Sequence, residues 1–508
     1  MGLRDFALFD IVQRNARLYP ERTAFIFDDE RVTHAAYLRR VERLTAGLAR
    51  AGIEPGDRIL VLAQNNLEFV DLYGAAARLG AILVPVNWRL SAEEVAYVAA
   101  DAAPKVVIAE SALQGLLNGR EQALPRVTHW YGIGGGSAPF APYAGLLEAA
   151  PAGAALPEPH SDSGAGLVMI YTAAVGGRPR GALLSHANLI AGSIELMRCW
   201  ALTGDDVNLG ALPLFHVTGL GMLLAAQHAG GATALMAKFD AAAACKHISR
   251  ERVTMLAEFP PMLGSLLDAA ETGAVDLSSL RIVTGLENAE TITRLERAWP
   301  QASFWAGFGQ TETSGFVTME RFRDKPGSAG RPTAVNSVTV FDDGDKPVGV
   351  GVTGEIVVRG PAVFKGYWNC DGDTAFTFRN GWHHTGDMGA FDAEGRLWYK
   401  GRAPAKELIK PGGENVYPAE VEASIAAHPA VAEVVVLGVP DAQWGEAVKA
   451  VCACKPGQSA TAQELIDFVA SRIARYKRPK HVAFVAALPK TASGTIDRAK
   501  VKELHGRA

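Results

Sequence analysis

The segment from Gly166 to Ile190, GLVMIYTAAVGGRPRGALLSHANLI, opens as an apolar strand and turns through glycines beside two cations, Arg178 and Arg180. It closes in a helix capped by Ser185. Backbone N–H groups in such a turn can cradle phosphate while the guanidiniums supply charge. An ordinary strand-to-helix loop reads the same way, so this segment alone decides nothing. Elsewhere stand other residues able to do chemistry: Glu312 in FGQTE, Asp387 in TGD, Arg402 in KGR and His216 in LPLFH. Taken singly, three of them have a plain structural reading: Glu312 a solvated carboxylate, Asp387 a turn aspartate and His216 a satisfied core histidine.

Their order along the chain carries more. Thr172, Gly177, Pro179, Arg180 and Gly181 are followed by LPLFHVTGL (Leu212 to Leu220), GFGQTETSG (Gly307 to Gly315), TGEIVVRG (Thr353 to Gly360), WHHTGDMG (Trp382 to Gly389) and KGRAPAKELIKPGGENVYPAEVE (Lys400 to Glu422). Six motifs in this order resemble the acyl-adenylate-forming superfamily, which includes acyl-CoA synthetases, luciferases and peptide-synthetase adenylation domains. The resemblance covers nearly the whole chain and is strongest from Leu167 to Pro418. It implies ATP, Mg²⁺ and coenzyme A as the small molecules bound, and a carboxylic acid as the substrate activated. The chemistry explains the residue types. A carboxylate is a poor electrophile and must be joined to AMP before a thiol can attack it, and the charge that develops on pyrophosphate calls for a metal ion and cations.

Residue by residue, the resemblance implies that Thr172, Gly177, Arg178 and Arg180 serve the phosphates. Within Gly307, Phe308, Gly309, Gln310 and Thr311, it implies that Phe308 packs on adenine and Thr311 bonds the α-phosphate, with Glu312 next in line holding Mg²⁺. Asp387 would accept from both ribose hydroxyls with Arg402 as its partner, and His216 would border the acyl pocket. Gly285, Leu286 and Glu287 occupy the adenine-facing segment. Gly412 and Gly413, followed by Glu414 and Asn415, resemble the glycine-rich segment along which pantetheine would pass, where missing side chains let a thin ligand approach backbone, and Lys410 just before them is a further candidate for cofactor binding. Lys477, Arg478 and Lys480 either meet CoA phosphates or form a solvated face.

Departures from the family pattern are specific. The usual T-S-G-T-T-G-x-P-K-G loop reads TAAVGGRPRG, with Ala173, Ala174 and Val175 replacing hydroxyl residues. The motif PKTASGTIDR (Pro489 to Arg498) carries Thr495 where relatives have a lysine that stabilises adenylation. Losing one such donor typically costs on the order of 10² to 10³ in rate. Lys490 is the expected substitute and Lys406 the expected pivot, since Ala403 and Pro404 read as an insertion. TGLENAE (Thr284 to Glu290) replaces the common G-G-A-P form. The leading expectation is a carboxylic acid–CoA ligase acting on a fatty or aromatic acid. Its rival is a degenerate member that only binds nucleotide or acyl ligand, or that performs only the thioester-forming half-reaction. The small residues near Thr218, Gly219 and Gly221, with Phe259, Pro260 and Met262, suggest an apolar acyl or aryl group.

The elements that must position these residues are legible in pattern. Runs such as RILVLA (Arg58 to Ala63), AILVPV (Ala81 to Val86) and KVVIAE (Lys105 to Glu110) alternate with stretches of helical length, as βαβ units do. A helix bearing Phe69, Val70, Leu72 and Tyr73 is predicted to end near Gly80. Gly132 to Tyr143 and Ala149 to His160 read as a surface connection, and Ser337 to Gly360 as short strands. The expected fold class is α/β, a large N-terminal domain of layered α/β subdomains plus a β-rich subdomain (residues 1–402). A small mobile α+β domain (residues 403–508) follows. The 508 residues are too many for one core. A net charge of −4 gives no footprint for nucleic acid, and no apolar stretch is long enough for a membrane span. Five scattered cysteines fit a reducing cytoplasm rather than a disulfide framework, and Cys452 and Cys454 read as buried small hydrophobes on one strand face. A homodimer would be the commonest assembly.

Overall fold

The computed structural model describes residues 5–148, 156–172, 178–402, 407–491 and 495–507. Two large sheets are built from strands between Thr23 and Tyr367. In one, the parallel strands Val207–Gly210, Ala232–Leu235, Met255–Glu258, Ile282–Gly285 and Ser303–Gln310 lie side by side. The antiparallel strand Gly315–Arg321 turns back beside the last of them. In the other, Arg58–Leu62, Ile82–Pro85, Val106–Glu110 and Gly166–Thr172 are parallel, and Arg180–Ser185 returns antiparallel to Gly166–Thr172. The run GLVMIYTAAVGGRPRGALLS is therefore a strand hairpin before its helix, which then starts at His186 with the Ser185 hydroxyl accepting from the Asn188 N–H at 3.1 Å.

One apolar cluster joins the two sheets. It takes Phe25 and Leu235 from one, Ile59, Leu83 and Val106 from the other, and residues of the helices between them. The helix Leu67–Leu79 is among these: the Asn66 side chain caps its start, Gly80 ends it at φ 70°, and every position but Glu68 is buried. Such a helix packs on all sides, so a periodic stripe is not what marks it. The stretch Gly132 to Tyr143 departs from the loop expectation. His129–Ile133 and Ala141–Pro142 extend the sheet edge, and the buried Gln114 amide ties the turn between them to the Gly135 carbonyl (2.9 Å) and the Ser137 N–H (3.2 Å). Part of the companion stretch, residues 149–155, lies outside the described residues.

A four-stranded antiparallel sheet, Ser337–Phe341, Gly354–Arg359, His383–Phe391 and Leu397–Arg402, carries Asp387 and Arg402. Beyond it, Val431–Asp441, Gly445–Cys454 and His481–Phe484 form a separate sheet with helices Pro418–Ala426 and Ala462–Ala470 and a core of its own. The molecule is thus mixed α/β, with a large N-terminal and a small C-terminal domain. All five cysteines are free, and Cys452 is fully buried, its thiol pushed up to about 12 by desolvation. Among the described residues, no helix is long and apolar enough to cross a membrane.

Candidate active site

Thr172 and Glu312, 140 residues apart, meet because Thr172 ends the strand Gly166–Thr172 and Glu312 lies on the short turn that follows the strand Ser303–Gln310. The Thr172 hydroxyl donates to Glu312 Oε1 at 3.0 Å, and the Tyr367 hydroxyl donates to the same oxygen at 2.9 Å. Glu312 sits on the short turn Thr311–Thr313, closed by Ser314 at φ 54°. Arg180 lies over the Tyr367 ring, 3.9 Å from its centroid, and bonds Asp373 at 2.7 Å. Burial works against its charge, but Tyr367, Asp373 and Glu312 outweigh it and hold the guanidinium pKa above its ordinary value. Arg178 is exposed beside Tyr97. Gly177 lies outside the described residues.

Asp387 and Arg402 pair across an antiparallel register, with Arg402 Nε 3.6 Å from Asp387 Oδ1. The Tyr399 hydroxyl donates to Oδ1 at 2.9 Å, and the Gln310 amide donates to Oδ2. Gln310 is itself fixed by the Thr385 carbonyl at 2.9 Å and by His383 Nε2 at 3.2 Å. The Phe308 ring lies near-parallel to Tyr399, centroids 6.2 Å apart. Sequence reasoning did not single out Tyr367, Tyr399 or His383. Tyr399 had a signal available, its place in the strand that delivers Arg402, whereas Tyr367 reaches Glu312 only through the tertiary fold.

These groups surround one cavity of about 440 Å³. Thr172, His216, Gly285, Glu287, Gly307, Phe308 and Gly309 line it, as do Gln310, Thr311, Glu312, Asp387, Arg402, Lys410 and Gly413. Its apolar part is formed by Thr218, Gly221 and Phe259, as expected, and by Gly192, Leu196 and Met222, which had no sequence signal. Gly219, Pro260 and Met262 do not line it. A Cβ on Gly219 would stand 2.4 Å from the Pro213 carbonyl, so that glycine serves packing. Gly413, at φ 85°, lies against Phe259, where a Cβ would come within 2.6 Å of the ring.

Glu414 lies behind this wall rather than on it. It is bonded by Arg89, by Asn87 Nδ2 at 3.0 Å and by His216 Nε2 at 3.5 Å. Burial pushes its carboxyl upward, but His216 and Arg89 prevail and hold it at about 2. Lys477 is on no solvated face: it is 4% exposed and joins Glu94 and Glu420, the latter at 2.7 Å. Lys490 is not brought to the cavity. Its Nζ bonds Glu433 Oε1 at 2.6 Å on the small domain, and the Thr495 hydroxyl lies 2.8 Å from that of Thr491 on the same hairpin. Lys406, the expected pivot, lies outside the described residues.

The donor set near Glu312 suits a hard cation. Magnesium takes one or two protein carboxylates and completes its shell with phosphate and water oxygens. Here one carboxylate oxygen stands within 3.0 Å of a hydroxyl at the cavity wall. Among the described residues no group of three or more His, Cys, Asp or Glu could hold a metal ion.

Comparison with known proteins agrees with this geometry. Residues 12–368 match the AMP-binding enzyme family and residues 420–495 the AMP-binding enzyme C-terminal domain. The chain is 36% identical to an indoleacetate–CoA ligase of Aromatoleum aromaticum, over 98% of both chains. It is 33% identical to a long-chain-fatty-acid–CoA ligase of Mycobacterium tuberculosis, over 97% of both. Among solved structures it is similar to the o-succinylbenzoate CoA synthetase of Bacillus subtilis, at 29% identity over 98% of both chains. The TM-score is 0.86 for a double mutant bound to a product analogue. For the complex with the acyl-adenylate intermediate, at 29% identity over 98% of this chain and 99% of that one, it is 0.71. With residues 12–368 and 420–495 matched in order, the chain belongs to the AMP-binding enzyme family.

Proposed function

We propose that the chain is an ATP-dependent, AMP-forming acid–thiol ligase that converts an apolar acyl or aryl carboxylic acid to its CoA thioester. The observation that carries this reading is the single cavity joining Glu312 and Thr172, the Asp387–Arg402 pair, and an apolar end at Met222 and Phe259. In the first half-reaction the acid's carboxylate oxygen attacks the α-phosphorus of ATP. The P–O bond to pyrophosphate breaks and an acyl-adenylate forms. In the second, the CoA thiol attacks the acyl carbon and AMP leaves with the bonding pair. Magnesium, held at Glu312 with the nucleotide, would supply charge neutralisation for the leaving pyrophosphate.

The chain's own residues do the rest. Asp387, oriented by Tyr399 and Gln310, accepts from the ribose hydroxyls, and Arg402 holds that carboxylate from the other side. Phe308 offers an aromatic face for the base. Arg180, fixed by Tyr367 and Asp373, adds positive potential beside Glu312. Lys410 and Gly413 border the path for a thiol, and the anchored Glu414 keeps that glycine segment against Phe259 and His216. The higher similarity to the product-analogue complex supports reading this arrangement of the two domains as the thioester-forming one. That accounts for Lys490 and Thr495 standing away from the cavity. We place the domain boundary at residues 402 and 403, after the strand Leu397–Arg402, and the enzyme in a reducing cytoplasm, in keeping with its free cysteines.

A second reading, limited to thioester formation, is favoured by Thr495 and by the engagement of Lys490 with Glu433. One experiment separates the two. The protein is incubated with ATP, Mg²⁺ and a panel of medium-chain, long-chain and aromatic acids, products are trapped with CoA or hydroxylamine, and masses are recorded. Acyl-CoA or hydroxamate supports the full ligase. Thioester formed only from supplied acyl-adenylate leaves the second half-reaction alone, and silence in both overturns the proposal.

A further inference from the structure

Glu94 has no place in the chemistry above, yet it reaches from the large domain into the small one. It stands in the first turn of the helix Ala92–Ala102, where it closes a capping box with Ser91 and accepts from the Ser91 N–H at 2.7 Å. The same carboxylate accepts from the Ala474 N–H at 3.0 Å and from the Lys477 ammonium, both on the small domain. Lys477 also has a carboxylate of its own domain. Glu420, in the first turn of the helix Pro418–Ala426, accepts from it with both oxygens, at 2.7 and 2.9 Å. One carboxylate balances one ammonium, so Glu94 brings a second negative charge to a place where burial penalises charge. Buried ion pairs of this kind gain little stability over apolar packing, and their best-attested use is to fix one arrangement against others.

The position of Glu94 says which arrangement is fixed. Just before it in sequence, Asn87 and Arg89 hold Glu414 of the glycine segment. The large-domain stretch from Asn87 to Glu94 thus grips the small domain at two points, Glu414 and the turn Arg475–Lys477. One attachment leaves a domain free to turn about it, whereas two, with the connection beyond Arg402, hold its rotation. The rotation held is the one that sets Gly413 against Phe259 at the cavity. Burial works against the Lys477 ammonium, but Glu420 and Glu94 outweigh it and hold its pKa above the ordinary value.

We propose that Glu94 is a positioning residue for thioester formation, holding the small domain through Lys477 in the arrangement that presents the glycine segment to the thiol. When the domain leaves, Lys477 goes with it still paired to Glu420, so release strands no buried cation. The proposal rests on reading this arrangement as the thioester-forming one.

The test compares wild type, Glu94→Gln and Glu94→Lys in both half-reactions. Pyrophosphate release is measured with the acid panel. Thioester formation is measured as kcat/KM for CoA and for pantetheine, which lacks the nucleotide, using the adenylates of decanoate, palmitate and indoleacetate. A cycle that uses both arrangements in each turnover keeps them near balance, so a change in their equilibrium reaches the rate. Glu94→Gln keeps the capping box and loses only the charge. It is expected to lower kcat/KM about tenfold for both thiols, with pyrophosphate release within about twofold of wild type and the melting temperature unchanged. Glu94→Lys sets two ammoniums against Glu420 in this arrangement alone, and is expected to lower kcat/KM about a hundredfold. Should Glu94→Lys fail to fold, Glu94→Gln decides. Thioester formation unchanged by Glu94→Gln overturns the proposal. Equal loss in both half-reactions also overturns it, marking a merely structural role, as does a loss for CoA with pantetheine spared, which marks direct contact with the nucleotide of CoA. Those results leave the proposed function standing, whereas a wild-type protein that forms thioester from none of the three adenylates overturns the function and this inference together.

Discussion

Two regions bear on acid activation, and they are built in opposite ways. Around the cavity, Glu312 and Asp387 are each fixed by at least two side-chain partners that come from other elements. On the small domain, Lys490 pairs with Glu433 and the Thr491 and Thr495 hydroxyls meet each other, away from the cavity wall. Electrostatic groups fixed in advance by a sheet lose little on reorganising for reaction. A group that must be carried in on a second domain contributes only when that domain is placed. The contrast teaches that the carboxylates Glu312 and Asp387 are held in place by the large domain, while departures from the family pattern fall on residues 173–175, on Thr284 to Glu290 at the cavity wall and on the small domain.

The contrast can be broken most severely at Glu312. Glu312→Gln keeps an oxygen for Thr172 and Tyr367 but removes the charge, and is expected to lower pyrophosphate release by about 10² to 10³. Thioester formation from supplied acyl-adenylate should fall far less, and rapid-quench assays of the two half-reactions would check this. Equal loss in both would mean that Glu312 does not act on the phosphates.

Glu414 gives the next effect. Its folded value of about 2 lies below the ordinary 4.5, so the folded state holds its proton less readily than the unfolded state. The stabilisation, about 3 kcal/mol, is present above pH 4.5 and is lost as pH falls from 4.5 through 2. Melting temperatures of wild type and Glu414→Gln are therefore expected to differ most near neutrality and to converge as the solution is acidified through that window. A constant gap would show that the charge on Glu414 does not couple to folding.

The hairpin yields the smaller effects. Thr495→Lys is expected to raise the rate of pyrophosphate release, by about tenfold if part of a lost charge-stabilising donor is restored. Lys490→Ala is expected to stay within twofold of wild type, because its cation is engaged with Glu433. A large loss for Lys490→Ala, read in the same pyrophosphate assay, would bring Lys490 back as the substitute for the missing lysine.

Much of the cavity wall was legible because its residues lie close together in sequence. FGQTE, TGD and KGR are short, and each sits on a strand or strand end whose direction its own pattern announces. The strand hairpin at Arg180–Ser185 and the edge strands around Gly132 were not legible, since pairing there depends on partners elsewhere in the chain. Lys477 was misread as a surface cation because its neutralising carboxylate Glu94 lies 383 residues away.

What the sequence by itself determined is the α/β layering and the family, because side-chain periodicity and motif order are local properties of the chain. Only the tertiary structure decided that Tyr367 and Thr172 share one oxygen of Glu312 and that Glu414 is clamped behind the cavity. Those facts depend on register between strands and on which side chains converge at a sheet rim. No one-dimensional pattern encodes that convergence.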